Sequence, residues 1–134
     1  MHDNLLIAVV DDDEMVGEAT GELIETFGLI TRTFVSGKAF LGSDCVSRTS
    51  CLVADVQMPD MSGLQLLCEL SSSGHHIPVI LFTAFPDERL RERALIAGAI
   101  DCLNKPVDPA GLLSCIHSAI GHWEGEPLNI GGSL

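Results

Sequence analysis

Leu52-Val53-Ala54-Asp55-Val56-Gln57-Met58-Pro59-Asp60-Met61-Ser62-Gly63 is the stretch on which the fold turns. Cys51 to Ala54 is a short apolar run with the length and composition of a buried strand. It ends in a carboxylate, Asp55, followed by a loop holding a proline and a glycine and then by a helical pattern. In an open parallel sheet, ligands sit just past the carboxyl ends of the strands. Asp55 is therefore expected at the mouth of a cleft, on a rigid support. Asp is also favoured in turns and helix caps, so this stretch alone does not separate a reactive acid from a capping one.

The same alternation continues in both directions. Leu5 to Val10 is a continuous apolar run of the kind covered on both faces of a sheet. It stops at Asp11-Asp12-Asp13, and a helix follows with Met15, Ala19, Leu23 and Phe27 as its expected inner stripe and Gly28 as its stop. Leu29 to Val35 alternates more and carries Arg32 and two threonines, which fits an edge strand. A short helix is expected from Ser36 to about Asp44. After the Asp55 strand, a third helix starts near Ser62 with Leu64, Leu67 and Cys68 facing inward. Gly74-His75-His76 is a turn. Ile77 to Thr83 is the fourth strand, and Pro86-Asp87-Glu88 opens a helix whose acidic first turn suits the helix dipole. Leu90, Ala94 and Ala97 face inward there, and Gly98 ends it. Ile100 to Leu103 is a short fifth strand, and Asp108-Pro109 opens a last helix with Leu113, Ile116 and Ile120 on its stripe. Five strand–helix units imply an α/β fold, a parallel sheet with helices on both faces and right-handed crossovers. Residues 1–121 form one domain, and 122–134, rich in glycine and polar residues, form a tail or linker.

The totals exclude several classes. At 134 residues the chain is expected to be one domain. No run reaches the roughly 20 apolar residues needed to span a bilayer, and no leader of secretory type stands at the start. A net charge of −12 repels phosphate backbones, so no direct nucleic-acid binding and no membrane partner are expected of this chain. The five cysteines, Cys45, Cys51, Cys68, Cys102 and Cys115, are odd in number and lack C-x-x-C spacing. They read as reduced core thiols of a cytoplasmic protein.

Three strands end in polar groups: the first in Asp11 and Asp12, the third in Asp55, the fourth in Thr83. Lys105 follows the fifth, before Pro106. If the first strand lies between the others, these side chains converge on one edge of the sheet. Like carboxylates ~4 Å apart repel by about 4 kcal/mol at an effective dielectric near 20. A divalent cation removes that cost, and an all-oxygen donor set selects Mg²⁺. Lys105 adds a fixed positive charge and Thr83 a hydroxyl donor. A cation, a lysine and a hydroxyl around one free carboxylate are what in-line phosphoryl transfer requires.

The pieces V-V-D-D-D (9–13), A-D-V-Q-M-P-D-M-S-G (54–63), L-F-T-A (81–84), A-G-A (97–99) and N-K-P (104–106) stand in order and at the spacing of a known family. Over about Leu5 to Ile120 the chain resembles the receiver domains of bacterial two-component response regulators, in particular the FixJ-like subgroup. The resemblance implies a doubly wound, flavodoxin-like five-stranded parallel sheet of order 2-1-3-4-5 with five helices. It implies that Asp55 is the phosphoacceptor for a sensor histidine kinase. Asp12, Asp55 and the backbone carbonyl of Gln57 would hold Mg²⁺, and Asp11 would position a metal-bound water. Thr83 and Lys105 would bind the phosphoryl oxygens, with a cis bond from Lys105 to Pro106. Phosphorylation would reshape the surface of the fourth helix, fifth strand and fifth helix, with a phosphorylation-dependent homodimer as one consequence. The output implied is transcription control; the alternative is a stand-alone receiver acting through protein partners.

This chain departs from the family at Cys102, where an aromatic residue usually stands three positions before the lysine. Movement of the loop after Thr83 is then expected to carry the signal. Phe85 is expected near the path by which water would reach an acyl phosphate. Asp13 and Glu14 read as first-turn acids of a helix rather than metal ligands, and His75 and His76 as solvated turn residues. Two other functions fit less well. An aspartyl-phosphate phosphatase like the haloacid dehalogenases needs a second acid two residues after the nucleophile, where Gln57 stands. A flavodoxin needs a small, polar phosphate loop where this chain has three aspartates. The chain is thus expected to be a signalling phosphoacceptor and not an enzyme.

Overall fold

The structure is a computed structural model, and it describes residues 5–124. The strands are β1 (Leu6–Val10), β2 (Ile30–Phe34), β3 (Cys51–Asp55), β4 (Val79–Thr83) and β5 (Asp101–Asn104). The helices are α1 (Glu14–Glu25), α2 (Gly37–Leu41), α3 (Gly63–Ser72), α4 (Glu88–Ile96) and α5 (Pro109–Glu124), with a 3-10 turn at Val46–Arg48. The sheet is parallel throughout, in the order β2-β1-β3-β4-β5. The expected flavodoxin-like fold is what the chain adopts. α5 runs to Glu124, past the expected boundary at 121, and the rest of the expected tail lies outside the described residues.

Side-chain polarity at the helix starts explains where the helices begin. Asp13 caps α1 by accepting from the amides of Met15 and Val16. Ser36 and Asp87 cap α2 and α4 in the same way. Ser62 and Gln65 form a reciprocal capping box on α3, which satisfies two amides that the helix itself leaves unpaired.

Strand residues alternate between two cores. Ala8, Val10, Leu52, Ala54, Val79 and Leu81 pack under α2, α3 and α4. Ile7, Val9, Cys51, Val53, Ile80 and Phe82 pack under α1 and α5. The central strands β1, β3 and β4 are buried along their whole length, which is why they read as unbroken apolar runs. β2 stands at the edge, as its mixed composition predicts.

Helix faces depart from expectation in three places. In α1 the buried residues are Gly17, Thr20, Gly21 and Ile24, while Met15 is 79% exposed and Ala19 is exposed. The helix lies close enough to β2 that a Cβ at Gly21 would stand 3.3 Å from the Thr33 side chain. Gly17, Thr20 and Gly21 therefore face the sheet together with Ile24, while Met15 and Ala19 stay outside the contact. In α3 the buried stripe is Leu66, Leu67 and Leu70, and Cys68 is exposed. In α5 Leu112 is buried and Leu113 only partly so. Leu112 and Leu113 are adjacent apolar residues, so periodicity alone leaves the rotation about the helix axis open.

The cysteines are all free: Cys45, Cys51 and Cys102 are buried, Cys115 is half-buried and Cys68 is exposed. Burial pushes the Cys51 thiol up to about 12, with Cys115 adding to the shift. Four of the five thus lie in or against the cores, and Cys68 is the exception to the reading as core thiols. Among the described residues no helix is long and apolar enough to cross a membrane.

Candidate functional site

Strand register brings the polar strand ends together. Val10 pairs with Ala54, which places Asp11 level with Asp55. Asp55 pairs with Phe82, and Thr83 pairs with Asn104, which Lys105 follows. All these side chains stand at the carboxyl ends of the strands, where β1 separates β2 from β3 and the chain's winding reverses direction. The Lys105–Pro106 bond is cis.

Asp11 and Asp55 are buried and each is held at both oxygens. One oxygen of each accepts from the backbone N–H two residues on: Asp13 N–H to Asp11 Oδ1 at 2.9 Å, and Gln57 N–H to Asp55 Oδ1 at 3.1 Å. The other oxygen of each faces Lys105, whose Nζ donates to Asp55 Oδ2 at 2.8 Å and to Asp11 Oδ2 at 3.0 Å. Burial pulls the Lys105 amine down, but its hydrogen bonds to Asp55 and Asp11 and their charges more than offset this, and its pKa is raised. The lysine stays charged and bridges two acids from strands far apart in sequence.

Asp12 is exposed beside this pair. Carboxylate oxygens of Asp11, Asp12 and Asp55 all lie within 4.8 Å of one another. The donors are hard oxygens from three acids against a single lysine, a set that fits a small, hard divalent cation. Asp13 does not join them, since its side chain is spent on capping α1. His75 and His76 lie at the start of the approach to β4, at the opposite end of the sheet, and belong to no metal-type cluster among the described residues.

Thr83 is buried at the end of β4, and its hydroxyl is turned toward the neighbouring loops. It accepts from Phe85 N–H at 3.0 Å, and its proton has two acceptors in reach, Gln57 Oε1 at 3.2 Å and Phe85 O at 3.3 Å. The side-chain link from Gln57 to Thr83 was not foreseen from sequence, because nothing local ties residues in separate loops. Phe85 itself is 69% exposed.

Cys102 is buried and lines a cleft of about 250 Å³ with Thr83, Pro86, Arg91 and Asn104. A small thiol therefore leaves open space beside Thr83, under the loop that leads into α4. Burial and then Asp101 raise the Cys102 pKa, with Arg91 opposing, so the thiol is held protonated. Asp101 meanwhile pairs with Arg91 at 3.2 Å, tying β5 to α4.

A second unforeseen feature is the approach of α3 to the site. Gly63 stands against the Asp55 carbonyl, where a Cβ would come within 2.5 Å of the oxygen. Its glycine was visible in the sequence, but the contact requires α3 to pack over the end of β3.

Comparison with known proteins bears on the family and the fold. The profile of the response regulator receiver domain matches residues 7–117. The chain is 38% identical over 121 residues to the transcriptional regulatory protein FixJ of Azorhizobium caulinodans, covering 90% of this chain and 57% of that protein. It is 38% identical over 115 residues to the response regulator protein TmoT of Ectopseudomonas mendocina, covering 86% of this chain and 52% of the relative. The chain thus spans a little over half the length of these relatives. The crystal structure of FixJ-N superposes with a TM-score of 0.81 at 31% identity, covering 91% of this chain and 97% of that one. On a five-part sequence pattern, a matching sheet and the profile match together, this chain belongs to the response regulator receiver domain family.

Proposed function

We propose that this domain accepts a phosphoryl group on Asp55 from a sensor histidine kinase and relays it as a change of surface. The observation that carries the reading is the Lys105 amine seated between Asp55 and Asp11 with a third acid alongside. In the reaction, an Asp55 carboxylate oxygen bonds to phosphorus while the phosphorus–nitrogen bond of the phosphohistidine breaks, and the electron pair leaves with the imidazole. The product is an acyl phosphate, and the kinase histidine takes up a proton from solvent. Lys105 and Thr83 bind the phosphoryl oxygens, which requires the Thr83 hydroxyl to turn from its present partners. Asp12, Asp55 and the Gln57 carbonyl would hold Mg²⁺, with Asp11 orienting a bound water. Bound there, Mg²⁺ offsets the charge of the three acids and of the incoming phosphoryl group.

The proposed site acts in the cytoplasm as a signalling module, with self-catalysed transfer and slow autodephosphorylation as its only chemistry. Transcription control is the favoured output, supported by the names of FixJ and its kind, with DNA contact made elsewhere than on this surface of net charge −12. Action as a stand-alone receiver through protein partners is the second reading. The test is incubation with acetyl phosphate. The protein should take up one phosphoryl group per chain with Mg²⁺ present and none once the metal is chelated; release of free phosphate so fast that no phosphorylated chain accumulates, or metal-independent labelling, would count against the reading.

The open cleft at Cys102 supports signalling by movement of the loop after Thr83. The surface it would reshape already exposes apolar residues: Ile96 is 86% exposed, Leu95 42% and Ile100 38%. These lie on the last turn of α4 and just before β5, and they support a phosphorylation-dependent homodimer through the α4–β5–α5 face. Sedimentation with Mg²⁺ and beryllium fluoride should show a larger species than without; identical profiles would rule the dimer out at the concentration used.

A further inference from the structure

We propose that the Gln57 side chain is a positioning residue that latches the Thr83 hydroxyl in the unmodified protein, so that occupation of the site must break the latch. The inference rests on the reading of Asp55 as phosphoacceptor. Gln57 touches both halves of the site: its N–H donates to Asp55 Oδ1 at 3.1 Å, and its Oε1 accepts from Thr83 Oγ1 at 3.2 Å. One residue therefore joins the loop after β3 to the end of β4. Thr83 has a single hydroxyl proton and is 1% exposed, so solvent offers it no alternative. The hydroxyl cannot serve Gln57 and a phosphoryl oxygen on Asp55 with the same proton. A hydrogen bond to a charged acceptor is about twice as strong as one to a neutral amide, so a bound phosphoryl group takes the proton. The energy of the broken bond is then subtracted from the binding of that group. Phe85 O, at 3.3 Å, is the acceptor left to Thr83 when Gln57 is lost.

Gln57→Met keeps the length of the side chain and removes the acceptor. The probe is beryllium fluoride with Mg²⁺, titrated into the full chain. Gln57→Met should bind it about two- to tenfold more tightly than the parent, the range of the net contribution of one hydrogen bond. In a Thr83→Val background the same change should do nothing, since the gain passes through the hydroxyl. A second readout needs no ligand: three-bond couplings to the Thr83 methyl report its χ1, and Gln57→Met should broaden that distribution. Equal or weaker binding by Gln57→Met, a gain that persists in Thr83→Val, or an unchanged χ1 distribution overturns the latch. A parent that binds no beryllium fluoride overturns the phosphoacceptor reading and the latch with it.

Discussion

An Asp55→Asn protein takes up no phosphoryl group from acetyl phosphate with Mg²⁺, and it is no less resistant to denaturant than the parent. The amide has lost the anionic oxygen that attacks phosphorus, and no other carboxylate can stand in. In the proposed site Asp11 and Asp12 serve the metal, which leaves Asp55 alone to attack phosphorus. The stability half of the expectation follows from charge. Asp11, Asp12 and Asp55 against Lys105 leave a local formal charge of −2 (three negative, one positive) in the metal-free protein. The substitution lowers this to −1. Like charges near 4 Å repel by up to about 4 kcal/mol at an effective dielectric near 20, less where water and salt reach them. The lost Lys105–Asp55 bond opposes that gain, while the Asn oxygen can still accept from Gln57 N–H. Radiolabel or intact-mass measurement checks the first half and a urea titration the second. Labelling of the Asn protein at the parent's level would remove Asp55 from the mechanism. A large loss of stability would show that the Lys105–Asp55 pair outweighs the repulsion.

Gly63→Ala is expected to reduce stability by about 2–3 kcal/mol, within the usual range for overpacking a well-packed site, and to impair labelling as well. The added methyl would meet the Asp55 carbonyl oxygen at 2.5 Å and Leu81 Cδ2 at 3.0 Å. Backbone is the harder obstacle, because Asp55 is held in the sheet by its pairing with β4 and Val56 N–H donates to Phe82 O at 2.8 Å. Either β3 shifts, which displaces Asp55, or α3 moves outward, which strains the bond from Gly63 N–H to Val56 O at 3.1 Å. Ala is otherwise the better helix former, so local propensity predicts the opposite sign, by about 1 kcal/mol. A urea titration of Gly63→Ala beside Gly121→Ala, where nothing among the described residues lies within 4 Å of the added methyl, separates the two effects. Stability equal to the parent's in Gly63→Ala would mean that α3 yields freely and that its packing does not hold Asp55 in place.

Much of this molecule is decided along the chain. Unbroken apolar runs at Leu6–Val10, Cys51–Ala54 and Val79–Phe82, too short for helices and bounded by turn residues, read as strands covered on both faces. Alternation with helical stretches then leaves parallel pairing as the economical solution, and the capping residues Asp13, Ser62 and Asp87 mark the starts of α1, α3 and α4. Aspartates and a threonine at strand ends, with a lysine following the last strand, share one sheet edge as a consequence of parallel topology. Asp11, Asp12, Asp55, Thr83 and Lys105 could therefore be read as one group from the sequence, whereas the place given to the Gln57 carbonyl came from the family resemblance alone.

Tertiary structure alone decided the rest. Rotation of α1 and α3 about their axes came from close packing on the sheet, where Gly17 and Gly21 outcompeted larger apolar neighbours for the inner face. Periodicity reports the presence of a face but not which of two overlapping stripes the partner surface accepts. The Gln57–Thr83 bond, the open cleft at Cys102 and the seat of Gly63 on the Asp55 carbonyl all join residues from different loops or elements. Such contacts depend on distances of tenths of an ångström between segments that share no local pattern, so only the packed chain determines them.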